Sequence, residues 1–223
     1  MKKVVTVKRR VLADNEAHAD VLRGRFAASG TLVVNLISSP GSGKTSLLEA
    51  TVKALAGELR CAVIEGDVAT ENDADRIRAL GVPAHQILTG GSCHLDARQV
   101  SRGLAEGGFP EVDILFIENV GNLICPTTYD LGEDFKVVVL SVTEGDDKPV
   151  KYPAIFSRAE VAVISKSDLL PYVPFNLDTV RGQIASLNPE GAVLVVSSIG
   201  GDGMAGWIEL LRERLEAKRR ASR

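Results

Sequence analysis

The sequence predicts an α/β fold in which a mostly parallel, doubly wound sheet carries helices on both faces. Two observations predict it. Short β-branched runs alternate with longer segments of helical periodicity, and several runs, such as ILFI at 114–117 and VVVL at 137–140, are apolar throughout. Strands without polar alternation are typical of a parallel sheet buried on both faces. A chain of 223 residues is long enough to bury such a core.

Six strands and six helices follow from the pattern. The predicted strands cover residues 32–38, 61–66, 113–118, 136–141, 161–165 and 192–197. The predicted helices cover residues 44–59, 73–80, 95–106, 177–187 and 204–218. Gly81 follows the second of these helices as a stop signal, and Pro83 prevents the helix from resuming. A sixth helix is predicted ahead of the first strand, over 13–28, packed on the sheet.

Charge and composition exclude several classes of protein. The 26 Lys and Arg residues against 29 Asp and Glu give a net charge of −3, which disfavours nucleic acid as a partner. No apolar run approaches the ~20 residues of a membrane helix. The basic first ten residues lead into ADNE at 13–16 rather than into an apolar signal core, so we expect a cytoplasmic protein without a membrane partner. An odd number of cysteines, three, argues against a disulfide framework.

A phosphate-binding loop is predicted at 38–45, between the first strand and the first long helix after it. The sequence SSPGSGKT matches the pattern of Gly, four residues and Gly-Lys-Ser/Thr, except that Ser38 stands at the first Gly. In such a loop backbone N–H groups surround the phosphates, the lysine adds a charge, and the Thr hydroxyl is the expected Mg²⁺ ligand. The fold is therefore predicted to be that of a P-loop NTPase. The residues assigned to the nucleotide here are Gly41, Ser42, Gly43, Lys44, Thr45 and Ser46.

Two carboxylates at predicted strand ends supply candidates for hydrolysis, because an open α/β sheet binds its ligands there. Asp67 is expected to hold Mg²⁺, directly or through water, or to orient the attacking water. Glu118 stands in ENVG at 118–121, where GTPases usually have the Asp of an Asp-x-x-Gly signature. Gly121 is expected to donate its N–H to the γ-phosphate and to move when that phosphate leaves. Lys44, Asp67, Glu118 and Gly121 are thus the predicted catalytic group.

The predicted base site favours guanine, so the expected nucleotides are GTP and GDP. The run SKSD at 165–168 occupies the place of an Asn-Lys-x-Asp signature, with Ser165 where Asn is usual. The Asp168 carboxylate can accept from guanine N1–H and the exocyclic amine, which adenine cannot offer, and the stem of Lys166 is expected to lie across the base. Ser197 and Ser198, after the last strand, are expected to meet guanine O6 through backbone N–H groups.

A second site is predicted from Cys93 and His94, adjacent at a helix entrance, and from Cys125 shortly after the Glu118 strand. Two thiolates and an imidazole suit Zn²⁺ or Ni²⁺, and a two-fold dimer could pool two such incomplete sets. The competing interpretation is that both cysteines are core residues and His94 is a surface neighbour. Cys61 is expected to be a buried strand residue.

Five segments together resemble the HypB family, whose members are GTPases that help insert nickel into [NiFe]-hydrogenase. The segments are SSPGSGKT at 38–45, GDVATENDADRI at 66–77, CHLDA at 93–97, IENVGNL at 117–123 and DLGE at 130–133. The resemblance implies a GTP-dependent metallochaperone that forms a homodimer on GTP binding. It assigns Cys93, His94 and Cys125 to the nickel or zinc site. The implied partners are a HypA-type nickel/zinc accessory protein and the hydrogenase large-subunit precursor.

The pattern of elements, without a linker or an internal repeat, predicts a single domain with short additions at each end. We expect a helical extension over 1–30, a GTPase domain over 31–217 and a basic tail over 218–223. Residues 1–30 hold no Cys and only His18, so we do not expect the nickel-storage role that an N-terminal Cys-rich or His-rich motif gives to some family members.

Three different functions compete with this hypothesis. A urease-type nickel GTPase is disfavoured because its Cys-Pro-His motif is absent from the sequence. A zinc-bound dimerisation module with little turnover is disfavoured by the complete Gly-Lys-Thr at 43–45 and by the two carboxylates at strand ends. An ATP-dependent small-molecule kinase is disfavoured by Asp168, which suits guanine rather than adenine.

Overall fold

The computed structural model of the chain describes residues 2–67 and 72–221, with side chains from residue 11 onward. Seven strands form one sheet in the order β3-β2-β4-β1-β5-β6-β7, and every neighbouring pair is parallel. The strands are β1 Leu32–Ser38, β2 Cys61–Asp67, β3 Ala84–Leu88, β4 Ile114–Glu118, β5 Phe135–Ser141, β6 Val161–Ser165 and β7 Ala192–Val195. The predicted doubly wound α/β class is confirmed.

Helices cover both faces of this sheet. They are α1 Lys2–Ser29, α2 Lys44–Leu55, α3 Asn72–Arg78, α4 Ala97–Glu106, α5 Lys148–Lys151, α6 Pro153–Phe156, α7 Leu177–Leu187 and α8 Met204–Ala221. Apolar residues of α2 and α8, including Leu47 and Trp207, are buried on one face, and those of α1 and α4, including Phe26 and Leu104, on the other. Within the described residues no helix is both long and apolar enough to cross a membrane.

Of the seven strands, the edge strand β3 is the one that the sequence pattern does not predict; the short helices α5 and α6 are not predicted either. Its residues AHQIL are mostly half-buried, and two of the five are the polar His85 and Gln86. This strand has a neighbour on one side only, and its two polar residues interrupt the apolar run that marks the central strands. The only signal is Pro83, which prevents the preceding helix from resuming and also leads the chain into β3.

Several helix ends differ from prediction. Helix α1 runs from Lys2 instead of residue 13, and α2 ends at Leu55 instead of residue 59. Helix α8 continues to Ala221, so four of the six residues expected to form a basic tail are helical, and residues 222 and 223 lie outside the described part. Lys218 and Arg219, at this end of α8, each pair with a carboxylate beside the sheet, at 2.6 Å.

Asp113, just before β4, anchors this end of the fold. It accepts hydrogen bonds from the Arg60 backbone N–H at 2.7 Å and from the Arg60 and Arg219 guanidinium groups. The Arg60 hydrogen bonds are the main reason that the pKa of Asp113 lies below its usual value. The carboxylate therefore ties the loop before β2 and the end of α8 to one point.

We expect Asp113→Asn to lower the free energy of unfolding at pH 7 by about 2 kcal/mol, because the lost bonds are charge-assisted. The folded-state pKa is depressed, so this stabilisation is complete above the unfolded pKa of about 3.9 and is lost as pH falls through the folded value. Urea unfolding at pH 7 and at pH 3 should show a gap between the two proteins that shrinks at the lower pH. A difference in unfolding free energy that does not change with pH would contradict this role of the Asp113 carboxylate. Asp20→Asn, at an exposed ion pair on α1, is the control and should change little.

Candidate nucleotide and metal sites

A polar cavity of about 470 Å³ opens at the carboxyl ends of the central strands, above the start of α2. Of the residues predicted to bind or hydrolyse nucleotide, its walls contain Gly41, Gly43, Lys44, Thr45, Ser46, Asp67, Glu118, Gly121 and Lys166. Gly41 and Lys166, 125 residues apart in sequence, converge on one space because parallel strands end at the same edge. The part of the predicted 66–77 motif at 68–71 lies outside the described residues.

The 38–45 loop has the backbone that phosphate binding requires. Gly41 and Gly43 have positive φ, +76° and +91°, a region open chiefly to glycine, and Gly43 precedes the first residue of α2. The Ser42 hydroxyl closes the turn by donating to the Ser39 carbonyl at 2.5 Å. The loop therefore presents its N–H groups at the positive end of a helix, where an anion is stabilised.

The buried Lys44 ammonium group is fixed by polar neighbours at this loop. Its Nζ donates to the Ser38 hydroxyl at 2.8 Å and lies 3.8 Å from Glu118 Oε1. Ser38, which replaces the first Gly of the usual pattern, is thus a partner of the lysine rather than an impediment to the loop.

Two buried carboxylates face each other across β2 and β4. Glu65 and Glu118 are register partners on these strands, and the Thr45 hydroxyl donates to Glu118 Oε1 at 3.0 Å. Burial is the main reason that the pKa of each carboxyl is raised; Lys44 opposes the rise at Glu118. Sequence reasoning missed Glu65, whose signal is an acidic residue inside an otherwise apolar strand. It also missed Asp73, at the start of α3, which lines the cavity.

The oxygen atoms at this end of the cavity suit Mg²⁺. The Thr45 hydroxyl and the carboxylates of Asp67 and Glu118 are the hard oxygen ligands that this ion prefers. Glu118 Oε2 is buried and has no hydrogen-bond partner among the described residues, which is a costly arrangement without a further ligand. The residues present therefore fit the ion.

The predicted base-binding residues lie beside the loop. Lys166 has a left-handed backbone, with φ +58°, and its Nζ donates to the Gly41 carbonyl at 2.7 Å. The buried Ser165 hydroxyl donates to the Ser42 carbonyl at 2.6 Å, so a serine here ties β6 to the phosphate loop. Asp168 accepts from the Ser197 hydroxyl at 2.6 Å.

The serine loop after β7 is closed by its own hydrogen bonds, including one from the Ser197 backbone N–H to the Asp202 carbonyl at 2.8 Å. Ser197 is buried, and its hydroxyl accepts from Gly200 N–H at 2.8 Å, while Ser198 is half-buried. Asp168, Ser197 and Ser198 are not part of the cavity wall. The structure therefore brings Asp168 and Ser197 together, but outside that wall.

The second predicted site is also assembled. One ligand atom from each of Cys93, His94 and Cys125 lies within 4.8 Å of the others. Cys93 is exposed and Cys125 half-buried, which contradicts the interpretation that both are core residues; Cys61 is the buried cysteine, as expected. The His94 ring packs on the Tyr129 ring, with centroids 3.9 Å apart.

The protonation chemistry of this cluster suits a soft or borderline metal. The pKa of Cys93 is raised, first by a hydrogen bond with the Cys125 thiol and then by burial, while burial lowers the pKa of His94. The imidazole is therefore neutral near pH 7 and can donate a lone pair, whereas the thiols must lose protons on binding a cation. Metal binding at this cluster should accordingly strengthen as pH rises.

The two sites are joined by the segment 118–125, which starts at Glu118 and ends at Cys125. Asn119 Oδ1 accepts from Leu95 N–H at 3.1 Å, and Asn122 Nδ2 donates to the Cys93 carbonyl at 3.2 Å. At Gly121 a Cβ would meet Pro40 of the phosphate loop at 2.9 Å, so only glycine fits between the two loops. Sequence reasoning missed both asparagines, because nothing in their spacing shows that they cross to the 93–95 segment.

Comparison with known proteins identifies relatives that all belong to one family. Residues 32–195 match the model of the family described as CobW/HypB/UreG, nucleotide-binding domain. The hydrogenase maturation factor HypB of Escherichia coli (strain K12) is 48% identical over 210 residues, covering 94% of this chain and 72% of its own length. The protein of the same description from Azotobacter vinelandii is 46% identical over 229 residues, covering 99% and 76%.

Solved structures point the same way. A crystal structure of hydrogenase maturation factor HypB from Archaeoglobus fulgidus has a TM-score of 0.86 and 39% identity, covering 92% of this chain and all of its own. HypB from Helicobacter pylori in complex with nickel has the same TM-score and identity, covering 94% and 97%. A signal recognition particle 54 kDa protein from Aeropyrum pernix K1, in complex with GDP, is 12% identical with a TM-score of 0.57, which shows a shared fold alone.

Proposed function

This chain belongs to the CobW/HypB/UreG family as a hydrogenase maturation factor of the HypB type, and we propose that it is a GTP-hydrolysing metallochaperone that assists nickel insertion into [NiFe]-hydrogenase. The observation that carries the proposal is the segment 118–125, which connects the nucleotide cavity to the Cys93, His94 and Cys125 cluster. The nickel complex of a relative supports nickel as the cargo.

In the proposed reaction the chain's residues bind GTP and position its γ-phosphate. The N–H groups of the 38–45 loop and the Lys44 ammonium stabilise the phosphate charge, which is greatest when the bond to the leaving oxygen breaks. Thr45, Asp67 and Glu118 would hold Mg²⁺, which would supply further neutralisation of that charge. Asp67 orients the attacking water, and Asp168 with Lys166 selects guanine.

Hydrolysis is coupled to the metal cluster through the change at the γ-phosphate. When the γ-phosphate leaves, the Gly121 N–H loses its acceptor and the segment 118–125 changes its conformation. Because this segment bonds to Cys93 through Asn122 and carries Cys125 at its end, the two thiols change their separation. Nucleotide and metal therefore bias one another, and the bias is reciprocal.

The cluster supplies three ligands, so we propose that a homodimer formed on GTP binding brings two clusters together. The accessory partner would be a HypA-type nickel/zinc protein, and the recipient the hydrogenase large-subunit precursor, in the cytoplasm. Zinc is the second candidate metal, because a Cys₂His set also suits Zn²⁺.

The test is metal stoichiometry on reduced protein under anaerobic conditions, with GDP and with a slowly hydrolysed GTP analogue. We expect nickel uptake at one ion per two chains with the analogue and weaker uptake with GDP, together with slow release of phosphate from GTP. Binding of zinc alone, indifferent to nucleotide and without turnover, would instead identify a structural dimerisation module.

A further inference from the structure

Asn15, on helix α1, connects three distant parts of the chain. Its side chain is buried, with 6% of the residue exposed. Nδ2 donates to the Asp130 carbonyl at 2.8 Å, and Oδ1 accepts from the Ala97 N–H at 2.9 Å. Both groups of the amide are therefore used, and both partners lie more than 80 residues away in sequence.

The two partners belong to the two arms of the metal cluster. The first arm, residues 93–97, carries Cys93 and His94 and ends at Ala97, the first residue of α4. The second arm, residues 125–130, begins at Cys125 and ends at Asp130, next to the Tyr129 ring that packs on His94. One buried side chain thus bonds to the far end of each arm.

The bond to Ala97 also completes the start of α4. The first N–H groups of a helix have no partner within it. At α4 the Asp96 carboxylate accepts from Gln99 N–H at 2.7 Å, and Asn15 accepts from Ala97 N–H. The end of the first arm is therefore fixed by two side chains, one of them from α1.

Two ion pairs accompany this contact, Arg98 with Asp14 and Arg23 with Asp130. Their side chains are largely exposed, and exposed pairs contribute little. Of these three polar contacts, Asn15 is the one shielded from water, so we expect it to contribute most to holding the two arms.

We propose that Asn15 is a positioning residue for the metal cluster, which makes helix α1 part of the metal-binding unit although it lies outside the matched 32–195 domain. The inference rests on the proposed metal function. By holding both arms, Asn15 sets the separation of the Cys93–His94 pair from Cys125. A change in the seating of α1, on binding another protein, would consequently alter metal affinity at a cluster that α1 does not itself ligate.

The test uses Co²⁺ on the full, reduced chain, since its thiolate charge-transfer absorption reports coordination by both cysteines. Asn15→Ala should weaken Co²⁺ binding by about 10- to 100-fold, the usual effect of losing an outer-shell partner, and should alter that absorption while GDP affinity stays the same. Unchanged affinity and spectrum would overturn the inference.

A second variant separates bridging from helix capping. Asn15→Asp keeps an acceptor for the Ala97 N–H but places a carboxylate oxygen against the Asp130 carbonyl. The hydrogen bond from residue 15 to the second arm is therefore lost. This variant should also weaken Co²⁺ binding. Wild-type binding by Asn15→Asp would show that capping alone matters and would overturn the bridge.

The matched control is Asn188→Ala. Asn188 is half-buried, and its Nδ2 donates to the Ala159 carbonyl at 2.9 Å, so its loss is a similar structural change remote in sequence from both arms. It should leave Co²⁺ binding intact. An equal loss in this variant would overturn the inference by assigning the effect to general destabilisation. Failure of the wild-type protein to bind Co²⁺ would refute the metal cluster itself, which is a distinguishable result.

Discussion

Lys44→Ala is expected to abolish measurable GTP hydrolysis, with a loss of roughly 10²–10³-fold or more, the effect of removing a single preorganised charge from a phosphate-transfer site. The lysine is buried, its Nζ lies 2.8 Å from the Ser38 hydroxyl, and it needs no large movement to meet a phosphate in the adjoining cavity. Phosphate release from GTP under multiple-turnover conditions, with saturating Mg²⁺, is the measurement.

The same change should also affect Glu118. Lys44 is the strongest influence that opposes the effect of burial on the pKa of that carboxyl, so its removal raises the pKa further. The change favours the protonated form of Glu118, and a protonated carboxyl is a poor Mg²⁺ ligand. We therefore expect the variant to bind Mg²⁺ more weakly, and saturating Mg²⁺ should restore little activity because it does not replace the Lys44 charge at the phosphate.

Lys53→Ala is the matched control, since Lys53 is an exposed lysine of the same helix α2. It should hydrolyse GTP at the wild-type rate. Turnover by Lys44→Ala equal to that of Lys53→Ala would remove the assignment of the 38–45 loop as the phosphate site.

The phosphate loop is predictable from sequence because its chemistry is local. Positive φ at Gly41 and Gly43, and a lysine at the start of the following helix, are properties of consecutive residues. The opposed Glu65 and Glu118 are only half predictable. Their pairing depends on the register of β2 against β4, which no stretch of sequence contains.

The same distinction, between features set by consecutive residues and features set by long-range packing, applies to the other polar contacts. In the sequence, Ser165 stands where the guanine signature usually has Asn. In the structure its hydroxyl donates a hydrogen bond to the Ser42 carbonyl, 123 residues away. Asn15 and Asn122 resemble ordinary polar residues of a helix and a loop. Their roles follow from the long-range packing of α1 and of the segment 118–125, which depends on the whole fold.

Cys125→Ala is expected to lower nickel or zinc affinity by more than about 100-fold, because loss of a direct ligand should exceed the 10- to 100-fold typical of outer-shell changes. The variant would leave Cys93 and His94, two ligands for a cation that needs about four. GDP affinity should remain, since Cys125 is not part of the nucleotide cavity wall. Cys93→Ala should behave in the same way.

Cys61→Ala is the matched control for the loss of a thiol. Cys61 is the first residue of β2, at the opposite end of that strand from the cavity, and burial raises its pKa to about 12. The Cys61→Ala variant should bind metal as the wild type does.

Calorimetry of metal binding in buffers of different ionisation enthalpy adds a second readout, because bound thiols must release their protons. The raised pKa of Cys93 keeps that thiol protonated near pH 7, so the wild type should release more protons per metal than Cys125→Ala, and affinity should rise with pH. Equal metal uptake and proton release in both proteins would place the metal elsewhere, and the segment 118–125 would then connect the nucleotide to nothing that binds a metal.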